Sequence, residues 1–145
     1  MQSQLKEKLW AYIVHNNPDL MITLQEDYSV TKYLEEKISN ILPMAEAFLA
    51  EGKPQYAIEE LCLNAMTEGL KPSKFLYIRS VIEEEFPDDF ERLKENGVLT
   101  HEVVNLIAVC KEVFEAFDFK EENQDNRHLR YAVIAQVHDY LLSSQ

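Results

Sequence analysis

The chain has 145 residues, enough for one domain with a real core, and sets 26 acidic side chains against 14 basic ones for a net charge of −12. That field repels phosphate backbones and anionic lipid within a Debye length, so neither nucleic acid nor a membrane surface is an expected partner; only a local basic patch could reverse this. Three glycines and five prolines are too few for a chain of tight hairpins and favour long helices joined by short loops. Apolar runs such as Leu106–Cys110 are far shorter than the ~20 residues of a membrane span. The first eight residues carry both signs of charge and lack the apolar stretch of a signal peptide. With Cys62 and Cys110 inside helical patterns, the expected setting is a reducing cytoplasm with both thiols free and buried.

In chain order, residues 3–16 read as a first helix, with Leu5, Leu9, Tyr12 and Ile13 at helical spacing and Asn16-Asn17-Pro18 as the stop. A short irregular link through Leu20, Met21 and Ile22 is expected next. A second helix starts near Ser29 and keeps one apolar face (Val30, Tyr33, Leu34, Ile38, Ile41, Leu42, Ala45, Phe48, Leu49) to residue 50. Pro43 inside it predicts a kink or break. Gly52 ends it, and Pro54 opens a third helix to about residue 68, with Ala57, Ile58, Leu61, Cys62, Ala65 and Met66 inward and Gly69 as the C-terminal cap. Ser73 caps a fourth helix over 74–86 that buries Phe75, Ile78, Val81 and Ile82 and ends at Pro87. Asp88 caps a short fifth helix to Gly97. Thr100 caps a sixth through Phe117, and a charged link, residues 120–124, precedes a last helix with Leu129, Val133, Ile134, Val137 and Leu141.

The expected fold is all-α: a single domain over 1–145, an irregular bundle of six or seven helices. At its centre stands an antiparallel hairpin of the second and third helices, in which Phe48, Leu49, Ile58 and Leu61 meet near the turn. At least one of Glu59 and Glu60 is expected to face water.

Several stretches carry a resemblance. Phe48-Leu49-Ala50-Glu51-Gly52 leads into Ala57-Ile58-Glu59-Glu60-Leu61, followed by Glu68-Gly69-Leu70-Lys71-Pro72-Ser73-Lys74-Phe75 and Ile82-Glu83-Glu84-Glu85-Phe86. Leu9-Trp10-Ala11-Tyr12-Ile13 before Asn17-Pro18-Asp19-Leu20 fits the same pattern. Together they resemble a Bacteroidetes-type family of short, all-helical proteins, a domain of unknown function often encoded near conjugative elements. The resemblance covers nearly the whole chain and implies a cytoplasmic accessory role with no known activity and no site residues to carry over. Residues 45–60 are also similar to one tetratricopeptide helix–turn–helix. A repeat array needs further copies at a period near 34 residues, and none follows where the chain reads Arg79-Ser80-Val81.

Chemistry-bearing groupings are all incomplete. His101-Glu102-Val103-Val104-Asn105 lacks the second histidine of the zinc-protease helix. Asp125 and His128 form one half of a di-iron pattern, and His15, His101 and His138 supply no second half. Cys62 and Cys110 lie on apolar faces, where thiol reactivity falls. The glycines stand alone, so no phosphate loop forms. Glu83-Glu84-Glu85 with Asp88, Asp89 and Glu91 is the densest charge block, read as a solvated helix end or as a face for a basic partner. Arg127, His128 and Arg130, and Lys71, Lys74 and Arg79, are the basic clusters, each able to neutralise only about three phosphates. Trp10, Tyr12, Tyr77, Tyr131 and Tyr140 exceed what the apolar faces strictly need; burial is the commoner fate of such rings, and exposure at an interface is the sharper reading.

The sequence therefore nominates no catalytic, cofactor-binding or metal-ligating residue and no cofactor. It reads as a non-catalytic, cytoplasmic protein-interaction module whose partner is another protein or a second copy of itself. The alternative is an accessory of nucleic-acid metabolism, using Arg127/Arg130 on DNA or the acidic block Glu83–Glu91 as a mimic.

Overall fold

The computed structural model describes residues 1–143. Among them are α-helices and two 3-10 turns, Glu68–Leu70 and Glu121–Asn123, and no strand. The helices are α1 (Gln2–Asn16), α2 (Pro18–Glu26), α3 (Val30–Ala50), α4 (Gln55–Thr67), α5 (Lys74–Glu85), α6 (Pro87–Glu95), α7 (Leu99–Val109), α8 (Lys111–Ala116) and α9 (Arg127–Ser143). The chain divides into two compact units, Met1–Lys71 and the remainder from Pro72. The buried apolar side chains form two clusters, one in each unit.

In unit one, α1 packs on α2, α3 and α4, and α3 packs on α2 and α4. Its core is built from Leu5, Leu9 and Ile13 of α1, Ile38, Ile41 and Ala45 of α3, and Ile58, Cys62 and Met66 of α4. In unit two, α5 packs on α6, α7 and α9, while α7 contacts α6 and α9, and α8 contacts α9. The order and the pairings are those of unit one, with α7 and α8 together in the place of α3.

The correspondence extends to the backbone. Asn17, between α1 and α2, has φ −137° and ψ 59°; Phe86, between α5 and α6, has φ −134° and ψ 57°. The shift is 69 positions, from residue 17 to residue 86. At the same shift, Ser29 N donates to Leu24 O at 2.9 Å, and Val98 N to Leu93 O at 3.0 Å. Tyr28 and Gly97 occupy the left-handed region in these two turns, at φ 55° and 72°. Between residues 13 and 38 the shift pairs seven identical residues: Ile13 with Ile82, Pro18 with Pro87, Asp19 with Asp88, Leu24 with Leu93, Glu26 with Glu95, Thr31 with Thr100, and Ile38 with Ile107. The C-terminal turns of α3 and α8 also match: Lys53 N donates to Phe48 O at 3.2 Å, Phe119 N to Phe114 O at 3.1 Å, and Gly52 and Asp118 have positive φ. This second pair lies 66 positions apart, so unit two is three residues shorter along its third helix.

Several elements differ from expectation. Leu20–Ile22 lies inside α2, because Pro18 presets the first turn, Asp19 complements the helix dipole, and no breaker follows before Asp27. Helix α3 runs unbroken through Pro43, an exposed residue whose lost hydrogen bond leaves a carbonyl to water. The sixth helix is divided at Cys110. Ser73 caps α5 as expected, its hydroxyl accepting from Leu76 N at 3.0 Å. Asp88 and Thr100 are not caps; Phe86 and Val98 hold those positions, and both polar residues sit within the first turn. Gly69 falls in the 3-10 turn rather than in a left-handed cap.

The α3–α4 hairpin forms, with a different face inward. Ile58 is buried as expected and Phe48 half-buried, but Leu49 is 61% and Leu61 39% exposed. Glu59 is turned inward and Glu60 faces water. Burying Ile58, Cys62 and Met66 in one stripe rotates Leu61 to its edge and leaves Glu59 against α1.

Candidate functional site

Among the described residues, Glu59 is the acidic residue buried as a whole, at 7% exposure. Lys8 of α1 donates to Oε2 at 3.3 Å, and Gln55, one turn earlier on α4, donates to Oε1 at 3.3 Å. The Gln55 amide, then the Lys8 ammonium, hold the Glu59 carboxyl below its ordinary range against the opposing effect of burial. Both oxygens are engaged and Lys8 is half exposed, so the grouping reads as a fastener between α1 and α4.

Unit two carries an aromatic cluster. Tyr77 of α5 meets Phe114 and Phe119 edge-on, with centroids at 5.9 and 5.1 Å, and Phe114 tilts against Phe119 at 4.8 Å. Lys74 lies 5.5 Å from the Phe114 centroid, and a depression bounded by Lys74, Glu115 and Asp118 opens beside the rings. Burial, foremost, raises the pKa of the Tyr77 phenol. The rings seat the Asp118 turn against α5.

The residues singled out by sequence remain apart. His101 lies exposed in the first turn of α7, and its neighbour Glu102 accepts from the Tyr140 hydroxyl at 2.5 Å. Asn105 also donates to that hydroxyl, at 3.3 Å. Asp125 and His128 are both exposed, and Asn126 between them caps α9 by accepting from Leu129 N at 3.0 Å. His138 stacks on Phe86 at 6.3 Å. Among the described residues no three His, Cys, Asp or Glu side chains converge as metal ligands.

Cys62 and Cys110 are fully buried and unlinked. Burial raises both thiol pKa values, that of Cys110 to about 11. In the two basic clusters, Arg130 reaches Glu84 at 2.6 Å and Glu85 at 3.3 Å, and Arg79 reaches Glu83 at 3.4 Å. Glu83, Glu84 and Glu85 are thus paired with Arg79 and Arg130 within unit two.

What composition could not locate is the set of large apolar side chains turned to water. Tyr28 is 97% exposed, Tyr56 74%, Tyr131 59% and Leu142 58%. Tyr28 stands out, because its backbone is left-handed and its counterpart in unit two is a glycine. The only sequence signal for it was Asp27-Tyr28-Ser29 between two helical patterns. No helix among the described residues is long and apolar enough to cross a membrane. In comparisons with known proteins, no family model, curated protein or solved structure matches the chain.

Proposed function

We propose that the chain is a non-catalytic, cytoplasmic protein-interaction module that docks through apolar side chains on its helical exterior. The observation that carries this is Tyr28. A left-handed backbone costs a residue with a side chain roughly 1–2 kcal/mol relative to glycine, and a ring this exposed recovers none of it within the chain. At the equivalent turn Gly97 supplies the same backbone without that cost. A tyrosine kept there is best explained by a contact made outside the chain, where tyrosine is a common anchor.

The nucleic-acid alternative draws less support, since Arg130 is held by Glu84 and Glu85.

The test is affinity capture from a cytoplasmic extract of the producing cells, with immobilised wild type beside Tyr28→Gly. Loss of a retained protein with Tyr28→Gly, with the circular dichroism spectrum unchanged, is the expected result. Identical capture by both would remove Tyr28 from the interface and the proposal's main support with it.

A further inference from the structure

The depression beside the aromatic cluster of unit two measures about 300 Å³ and is lined by Lys74, Phe114, Glu115, Asp118 and Phe119. Its charged lining has no counterpart in unit one. At a shift of 69 positions Lys74 stands where unit one has the buried Leu5. At the shift of 66 that relates the two C-terminal turns, Glu115, Asp118 and Phe119 stand where unit one has Leu49, Gly52 and Lys53, while Phe114 keeps Phe48 as its equivalent. Asp118 also holds a left-handed backbone, φ 51°, at the turn where unit one uses glycine. A carboxylate is thus kept there against the preference of its backbone.

The charges around the depression are set against their own helices. Lys74 is the first residue of α5, where the helix dipole repels a cation, and Glu115 lies in the last turn of α8, where it repels an anion. Among the described residues neither makes an ion pair: the Lys74 ammonium rests 5.5 Å from the Phe114 centroid, and the Glu115 carboxylate has no basic partner. Asp118 pairs with the exposed Lys120 at 3.4 Å. A cation and carboxylates that share one depression without meeting each other suit a molecule that carries both charges itself. Its carboxylate is drawn to Lys74 and to the positive end of α5, its ammonium to Glu115 and Asp118, and its apolar part to the rings of Phe114 and Phe119. The volume lies at the small end of ligand sites and suits one amino acid, whereas a longer peptide holds its two terminal charges too far apart. We propose that this depression binds a free α-amino acid with an apolar side chain, as the zwitterion. The proposal stands apart from Tyr28 and from the interaction-module reading.

The test is a nuclear magnetic resonance titration of the isotope-labelled full chain with three probes: L-phenylalanine, phenethylamine, which lacks the carboxylate, and hydrocinnamate, which lacks the ammonium. L-phenylalanine should shift the backbone amides of Lys74, Phe75, Asp118 and Phe119 with a dissociation constant of about 1 mM or below, and each singly charged probe should bind about tenfold more weakly. Titrations run to about 50 mM at constant ionic strength, so that the weaker binding is still read. Lys74→Met and Glu115→Gln change exposed residues, and each should weaken L-phenylalanine about tenfold with the circular dichroism spectrum unchanged. They differ in what they spare: Lys74→Met leaves the affinity for phenethylamine as it was, and Glu115→Gln leaves that for hydrocinnamate. Glu112→Gln, exposed on the same helix but outside the depression, should alter none of the three. Amides of the depression that do not move, or an amino acid bound no tighter than either singly charged probe, would overturn the site. So would a Lys74→Met that weakens phenethylamine as much as L-phenylalanine.

Discussion

Units one and two solve the same packing problem with different residues, and the places where they part are informative. Each lays a first helix on three others, turns at a proline-led second helix and returns through a left-handed residue. At that residue unit two has glycine, the choice that costs nothing, and unit one has an exposed tyrosine. In the last helix, α4 is tied to α1 by Glu59 and exposes Tyr56 and Leu61, while α9 exposes Tyr131 and Leu142. Positions that agree between the units, such as Ile13 and Ile82, maintain the module. Positions that depart from glycine at a left-handed turn, Tyr28 opposite Gly97 and Asp118 opposite Gly52, are where the two units differ in backbone cost.

The largest effects should come from the shared core. Ile13→Ala and Ile82→Ala, fully buried at equivalent sites, should each cost about 2–5 kcal/mol. Amide hydrogen exchange resolved along the chain should speed up in the unit that carries the substitution; acceleration throughout from either one would mean that the two cores open together. Next comes the turn. Tyr28→Gly should stabilise unit one and Gly97→Tyr destabilise unit two, by roughly 1–2 kcal/mol each in thermal melts. A Cβ added at Gly97 meets no atom within 4 Å, so the first atom of the new side chain is unobstructed there. Equal effects of one sign would break the equivalence of the two turns.

Ser73→Ala should cost about 1 kcal/mol through the lost cap of α5, read as faster exchange in unit two only, since α1 has no side-chain cap to lose. The smallest effect concerns acid. Because the folded state holds the Glu59 carboxyl below its ordinary value of 4.5, its contribution is present above that pH and fades as pH falls below it. Glu59→Gln should flatten the acid side of the stability profile of unit one and leave that of unit two unchanged, as followed by exchange between pH 3 and pH 6 on either side of the ordinary carboxylate range.

Much of this was legible in the sequence, and the gaps have physical causes. Prolines and capping serines act locally, so the ends at Asn16 and Pro87 and the cap at Ser73 could be read from neighbouring residues. Asp88 and Thr100 misled because the residue that begins each helix is apolar, Phe86 or Val98, and only its carbonyl takes part. The inward turn of Glu59 depends on Lys8, 51 residues away, which no periodicity in α4 reveals. Leu61 and Ile58 are both apolar at helical spacing, and packing against α1 and α3 decided between them. The doubling of the fold escaped because its period is 69 residues rather than the 34 of a helical pair, and its signature lies in hinge geometry more than in residue identity. The candidate sites were the least legible part: Tyr28 is distinguished by what does not cover it, and Lys74 and Glu115 by sharing one depression though far apart in sequence.

Cys62 and Cys110 each lie wholly within one of the two cores, one per unit, with no exposed surface. Their raised pKa values keep both thiols protonated as well as shielded. A thiol reagent can therefore react with Cys62 only after unit one opens, and with Cys110 only after unit two does. The unaltered protein thus carries two internal clocks, and peptide mapping of a brief labelling pulse would time the breathing of each half separately.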